Sequence, residues 1–177
     1  MSDAAPPPER KRRLFFALWP DAAVRQQIAR ATWPAVRRAG GKPTPAEKLH
    51  VTVAFLGAVG EARFARLLAL EPPRVGPFEL VLDRLQFAGR KRLFWLTCRH
   101  LPPPLLALEQ GLWQALEPLG FQREPRLFRP HVTLARRARG VDEEIRAIRW
   151  PVDALALVES TPDGDSTAYQ VVHTWPL

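Results

Sequence analysis

The chain has 177 residues, 46% of them hydrophobic and 25% charged, which is enough for one packed domain. Lysine and arginine number 26 against 18 aspartate and glutamate, and the net charge of +8 favours a polyanionic partner. No apolar stretch approaches the roughly 20 residues of a membrane-spanning helix, and the N-terminus lacks the apolar region of a secretory signal. We therefore expect a cytoplasmic protein without membrane association. The single cysteine, Cys98, excludes an internal disulfide framework.

The first half of the chain predicts alternating strands and helices behind a tail. We expect residues 1–12, rich in proline and charge, to be disordered, and residues 13–177 to form the domain. The apolar run at 14–19 predicts a buried strand, after which Asp21 is typical of a helix cap. A β-branched strand at 49–56 and a short helix at 61–70 complete this half.

The second half predicts a hairpin, an amphipathic helix, a strand, a short helix and two closing strands. The hairpin is indicated by two strand-like runs around the turn Gly89-Arg90-Lys91, and the last two strands by runs around a polar turn. These elements fall, in that order, at 78–87 with 93–98, 105–116, 130–136, 142–149, 152–158 and 168–175.

The two halves contain an internal repeat. LFFALW, a helix and HVTV in the first half match LFWLTC, a helix and HVTL in the second. Leu14 precedes His50 by 36 residues, and Leu93 precedes His131 by 38. Two strand–helix–strand copies predict two lobes, at about 13–75 and 76–177, around a pseudo-twofold axis. That symmetry would bring both histidines to a common centre.

Each copy of the repeat carries a His-x-Thr strand. Because side chains alternate faces along a strand, His50 and Thr52 share one face, and His131 and Thr133 share the equivalent face. A polar face of this kind needs polar surroundings, since buried imidazoles and hydroxyls without partners are costly. Two imidazoles can supply an acid and a base near neutral pH. The pattern therefore indicates acid–base chemistry, with the threonine hydroxyls as hydrogen-bond donors to an anion.

The polar residues also allow other interpretations. Arg136, at the end of the second strand, suits a bidentate phosphate clamp, but a solvated arginine in a basic run fits equally. A zinc site needs three or four ligands, and neither motif contains a carboxylate, so we expect no metal and no cofactor. A non-catalytic RNA-end-binding module is the rival from another class, although it gives no reason for duplicated His-x-Thr faces. His100 is expected to be a surface loop residue, and His173 is expected to be structural.

These motifs resemble the 2H phosphoesterase superfamily, which is defined by two His-x-Thr-x motifs, here HVTV at 50–53 and HVTL at 131–134. RLFFALWP at 13–20, LHVTVAFLG at 49–57 and FRPHVTLAR at 128–136 are similar to the RNA 2′,3′-cyclic phosphodiesterase branch, also called 2′-5′ RNA ligase. The chain departs from that branch at Trp19, where an acidic residue is common. The catalytic positions are unaffected by this departure.

The resemblance implies a fold and an activity. The fold would be α+β and bilobal, with two pseudo-symmetric lobes, each an antiparallel sheet with flanking helices, around a central groove. The activity would be metal-independent hydrolysis of RNA 2′,3′-cyclic phosphate ends to 2′-phosphate ends, with reversible 2′-5′ RNA ligation as a secondary activity. The implied roles are proton donor for His50, proton acceptor for His131, phosphate binding for Thr52, Thr133 and Arg136, and base stacking for Phe15 or Phe16.

The substrate remains open at this point between an RNA end and a small cyclic nucleotide. Related enzymes act on both, and only the walls of the pocket separate the two. We expect the protein to be a monomer.

Overall fold

The computed structural model describes residues 10–140 and 142–177, and over these residues it is an α+β fold with antiparallel pairing throughout. Residues 1–9 of the predicted tail lie outside the described residues, while Lys11 and Arg12 already belong to the first strand. The helices are α1 (Ala22–Ala39), α2 (Glu61–Leu68) and α3 (Pro103–Leu116). The strands are β1 (Lys11–Leu18), β2 (Lys42–Pro43), β3 (Val51–Gly60), β4 (Phe78–Ala88), β5 (Leu93–Thr97), β6 (His131–Arg136), β7 (Glu143–Val152), β8 (Ala154–Asp163) and β9 (Ser166–Pro176).

The strands form one sheet whose centre lies between the two His-x-Thr strands. Its order is β7-β4-β5-β6-β3-β1-β8-β9, with β2 paired to β6. β3 and β6 are joined through a single residue pair, Val51 with Val132. His50 and His131 immediately precede these two valines, so the centre of the sheet brings the histidines to one place.

The two sides of this centre have equivalent registers. β1 pairs with β3 as β5 pairs with β6, and both ladders are interrupted by a bulge directly after the threonine. The matched pairs are Leu18–Val51 with Leu96–Val132, Ala17–Thr52 with Trp95–Thr133, Phe16–Ala54 with Phe94–Ala135, and Phe15–Phe55 with Leu93–Arg136. The two sides therefore share one register pattern, in which the first strands align one residue differently from the match of LFFALW to LFWLTC.

The outer strands show how the chain completes each side. β4 and β7 flank β5, whereas β8 and β9, from the C-terminal part of the chain, flank β1. The strands beside the first repeat copy are thus contributed by residues after 153. A repeat boundary near residue 76 stays a prediction. In the sheet, the β8–β9 hairpin lies on the side of the first repeat copy.

The core lies on the face of the sheet opposite the histidines. Val51 and Val132 are fully buried there, as the alternation predicts, and they share one cluster with the apolar sides of α1 and α3. α1 begins as predicted, because the Asp21 carboxylate accepts a hydrogen bond of 2.8 Å from the Val24 amide. The predicted helices at 61–70 and 105–116 and the predicted hairpin are confirmed as α2, α3 and β4–β5.

The predicted helix at 142–149 is wrong, since residues 143–149 belong to β7. Ile145 and Ile148 have helical spacing, but the buried residues Ile148, Trp150 and Val152 alternate, and β7 pairs with β4 along most of its length. Pairing with the edge of the sheet outweighs the helical propensity of the charged residues here. Among the described residues, no helix is both long and apolar enough to cross a membrane.

Candidate active site

A cavity of about 970 Å³ lies over the polar face of the sheet, where β3 and β6 meet. Six of the predicted site residues line it together: Phe15, His50, Thr52, His131, Thr133 and Arg136. The bulge after each threonine and the alternation before it turn these side chains to the same side, away from the buried valines.

Both histidine rings are held in the same orientation by the backbone two residues upstream. His50 Nδ1 lies 2.7 Å from the carbonyl oxygen of Lys48, and His131 Nδ1 lies 2.8 Å from that of Arg129. A carbonyl oxygen only accepts, so each Nδ1 carries a hydrogen and donates it. Each Nε2 is thereby left to accept a proton when the ring is neutral and to donate one when it is charged.

His50 is enclosed by three aromatic rings. Trp19 stacks on it with centroids 5.1 Å apart, Phe15 lies tilted at 5.1 Å, and Tyr169 meets it edge-on at 5.3 Å. Burial in these surroundings lowers the pKa of His50 from 6.5 to about 4, against the opposing effect of the hydrogen bond to the Lys48 carbonyl. Charge on His131 and on Arg136 makes smaller contributions to the same lowering of the pKa. His50 is therefore neutral at pH 7.

His131 has a different support. Its ring stacks on Trp95 at 4.0 Å, with the planes 24° apart. Burial lowers the pKa of His131 as well, while the hydrogen bond to the Arg129 carbonyl raises it. Trp95 occupies the register position of Ala17 in the other half, so the two histidines stand in equivalent backbone positions with unequal neighbours.

The cavity is strongly cationic. Besides Arg136 it is lined by four further basic residues and one acidic residue: Arg13, Lys42, Lys48, Arg137 and Asp165. A site with this balance concentrates anions, and its cations are placed to offset phosphate charge.

The wall beside β6 is formed by residues 41–48. Gly41, at φ 81°, lies so close to the Arg136 carbonyl that a side chain would collide with it, and β2 pairs Lys42 with Arg136. Lys42 Nζ donates to the Asp165 carbonyl at 3.3 Å, and the Lys48 ammonium donates to the Ser166 hydroxyl at 2.9 Å. These bonds connect the wall to the tip of the β8–β9 hairpin across the cavity.

The two predicted stacking residues have different positions. Phe15 borders the cavity but is 4% exposed and packs against His50 and Tyr169. Phe16 is fully buried in the core beside Trp175, so the structure does not bring it to the cavity. The prediction of Phe16 as a stacking residue is wrong, because β1 turns it to the opposite face.

The other singled-out residues lie away from the cavity lining. His100 and His173 are exposed, and His173 packs edge-on against Trp175. Cys98 is half-buried, and burial raises the pKa of its thiol. Within residues 10–140 and 142–177, no three His, Cys, Asp or Glu side chains converge as metal ligands would.

Sequence reasoning missed several residues of the site. Tyr169, the one tyrosine of the chain, comes from β9, and Lys42 and Lys48 lie between the predicted helix and the predicted strand at 49–56. Trp95 lies in a predicted strand for which no role was inferred. Sequence spacing carries no signal for Tyr169 and Trp95, since each meets a histidine of the site through long-range pairing.

Comparisons with known proteins agree with this geometry. Residues 19–164 match the family model described as the 2′-5′ RNA ligase superfamily. The RNA 2′,3′-cyclic phosphodiesterase of Escherichia coli strain K12 is 37% identical over 172 residues, covering 93% of this chain and 96% of that protein. The RNA 2′,3′-cyclic phosphodiesterase of Thermus thermophilus is 29% identical, covering 93% and 90%. The crystal structure of E. coli LigT complexed with 3′-AMP superposes with a TM-score of 0.85 at 31% identity, covering 95% of this chain and 99% of that one.

Proposed function

Because the chain belongs to the 2′-5′ RNA ligase superfamily, we propose that it hydrolyses RNA 2′,3′-cyclic phosphate ends to 2′-phosphate ends by two-histidine catalysis without a metal. The observation that carries the proposal is the pair of histidines in one cationic cavity, each with Nδ1 bonded to a backbone carbonyl. Such a pair can accept one proton and donate another within a single step.

The reaction assigns one proton transfer to each histidine. A water oxygen attacks phosphorus while the bond from phosphorus to the ribose 3′ oxygen breaks. His131 Nε2, neutral, accepts the proton of the water, and His50 Nε2, charged, donates its proton to the departing 3′ oxygen. The products are a 2′-phosphate and a free 3′-hydroxyl, with the two histidines left in exchanged protonation states.

The donor role requires His50 to be charged at the moment of reaction. Its pKa of about 4 results chiefly from burial, which disfavours the imidazolium. A bound phosphodiester brings a negative charge against the ring, and an opposite charge at this distance favours the protonated form. Substrate binding therefore raises the pKa of the donor as part of forming the reactive complex.

The phosphate itself is held by the remaining predicted residues. Thr52 and Thr133 lie on the same faces as the histidines, where their hydroxyls donate to the non-bridging oxygens. Arg136 supplies a fixed positive charge at one end. If a 5′-hydroxyl of a second RNA takes the place of water, the same proton transfers yield a 2′-5′ linkage, which is the ligation reaction.

The test uses a short oligoribonucleotide ending in a 2′,3′-cyclic phosphate, with EDTA present, and compares wild type with His50→Ala and His131→Ala. Each substitution is expected to lower kcat by roughly 10²- to 10⁴-fold, the usual contribution of a general acid or base. His173→Ala, an exposed histidine outside the cavity, is the matched control. Separation of 2′- from 3′-phosphate products checks which bond breaks. Turnover that needs an added metal, or that survives in both cavity variants, would contradict the proposal.

A further inference from the structure

We propose that Phe55 and Arg137 fix the orientation of the RNA end, with Phe55 stacking on the terminal base and Arg137 binding the phosphodiester on its 5′ side. The inference rests on the proposed function and deepens it. It assigns to these two residues the preference for an RNA end over a cyclic mononucleotide, which has no 5′ phosphodiester.

Phe55 is an aromatic side chain left open in a polar cavity. It lines the cavity and is 41% exposed, whereas its β1 partner Phe15 is 4% exposed. The Arg13 guanidinium lies over its ring at 4.9 Å from the centroid. An exposed ring backed by a guanidinium is the arrangement on which nucleic-acid bases stack.

The flanks of the phosphate position are chemically unlike. Measured along the partner strand β1, Phe55 lies two residues, or about 7 Å, beyond Thr52. Measured along the partner strand β5, Arg136 lies the same distance beyond Thr133. One flank is therefore aromatic, and the other ends in the consecutive arginines 136 and 137.

A nucleotide has a matching asymmetry. In ribose the base is attached next to the 2′ carbon, and the 5′ carbon with its phosphate is attached next to the 3′ carbon. Seen from a 2′,3′-cyclic phosphate, the base and the upstream chain therefore leave toward opposite sides. A cyclic phosphate centred between Thr52 and Thr133 therefore directs the base to the aromatic flank and the upstream chain to the cationic flank.

Arg137 occupies a backbone position that disfavours a side chain. Its φ is 54°, and among the described residues the only other non-glycine with positive φ is Arg92. The two are locked together, since Arg92 Nη2 donates to the Arg137 carbonyl at 3.2 Å and the Ala138 amide donates to the Arg92 carbonyl at 3.0 Å. Glycine would adopt this conformation without strain, so the arginine is explained by its side chain, which borders the cavity.

The experiment compares two substrates that share one base: adenosine 2′,3′-cyclic phosphate and the dinucleotide ApA ending in a 2′,3′-cyclic phosphate. Phe55→Leu keeps apolar volume without a ring, and Phe55→Tyr restores the ring. Arg137→Gln removes the charge, and Arg137→Gly removes the side chain in a residue that suits the backbone. Arg139→Gln is the matched control, because Arg139 is exposed and lies outside the cavity lining.

Loss of stacking is expected to raise KM of both substrates by roughly 5- to 150-fold in Phe55→Leu, with recovery in Phe55→Tyr. Both Arg137 variants are expected to raise KM for the dinucleotide about tenfold more than for the mononucleotide, with little change in kcat. Arg139→Gln is expected to match wild type.

Equal effects of the Arg137 variants on the two substrates, or an unchanged KM in Phe55→Leu, would overturn this inference while leaving the phosphodiesterase proposal intact. Absence of turnover of both substrates by wild type would overturn the proposed function and this inference with it. Circular dichroism of every variant verifies that a loss of binding is not a loss of fold.

Discussion

Replacing His50 by asparagine should make the protein less sensitive to acid. The amide nitrogen of asparagine can keep the hydrogen bond to the Lys48 carbonyl, but the side chain does not titrate. In wild type the folded chain holds His50 with a pKa of about 4, against an ordinary value of 6.5. The unfolded chain therefore binds this proton more tightly than the folded chain.

The sign and size of the effect follow from that difference. Stability from the neutral ring is fully present above pH 6.5 and is lost as the pH falls toward 4. At about 1.4 kcal/mol for each pKa unit, the loss amounts to about 2 kcal/mol between pH 7 and 5 and about 3 kcal/mol by pH 4.

The assay is urea unfolding at pH 7, 6, 5 and 4 for wild type, His50→Asn and the exposed control His173→Asn. Wild type and the control should lose about 2 kcal/mol more than His50→Asn between pH 7 and 5. The titrating groups other than His50 and His173 are common to all three proteins and cancel in the comparison. Equal pH dependence in wild type and His50→Asn would refute the argument that burial holds this ring neutral.

Three further predictions address the same surroundings. Because burial lowers the pKa values of both His50 and His131 in the free protein, the pH optimum of kcat/KM should lie below 6.5. The pH optimum of kcat should lie higher, because it reports the protein with the anion bound. Equal optima for the two parameters would contradict this. Trp19→Ala should admit water to one face of His50 and raise its pKa, seen as a shifted titration of the ring by NMR, with an unchanged titration as the contrary result. Gly41→Ala should cost more than about 2 kcal/mol of unfolding free energy and raise KM, since its methyl group would collide with the Arg136 carbonyl. Gly120→Ala, at a left-handed position in open space, should cost only about 1 kcal/mol, and equal losses in the two variants would count against the collision.

The paired histidines could be predicted because their signal is local. Alternation places His50 with Thr52 whatever the rest of the fold does, and the duplication predicts that a second such face meets the first. The Asp21 cap and the buried side of α1 could be predicted for the same reason, since helix periodicity and capping depend on neighbours within one turn.

The failures come from pairing that local sequence does not determine. Matching the apolar runs by letter aligns Phe16 with Trp95, whereas the sheet aligns Phe16 with Phe94. A shift of one residue exchanges the faces of a strand. The resemblance left Phe15 and Phe16 as alternative stacking residues, and only the register of the sheet shows that Phe16 faces the core. The helix predicted at 142–149 failed similarly, because the edge of β4 selects an extended conformation for a segment whose composition suits either.

The position of β8 beside β1 has a consequence for how the protein is made. Arg13 pairs with Ser160, so the first strand synthesised must wait for almost the whole chain before its outer neighbour exists. Sheets closed by such distant partners fold slowly, and their edges stay open in the meantime. Tyr169 and the Ser166 partner of Lys48 emerge later still. A nascent chain that already contains both His-x-Thr strands therefore lacks one wall of this cavity until the β8–β9 hairpin leaves the ribosome.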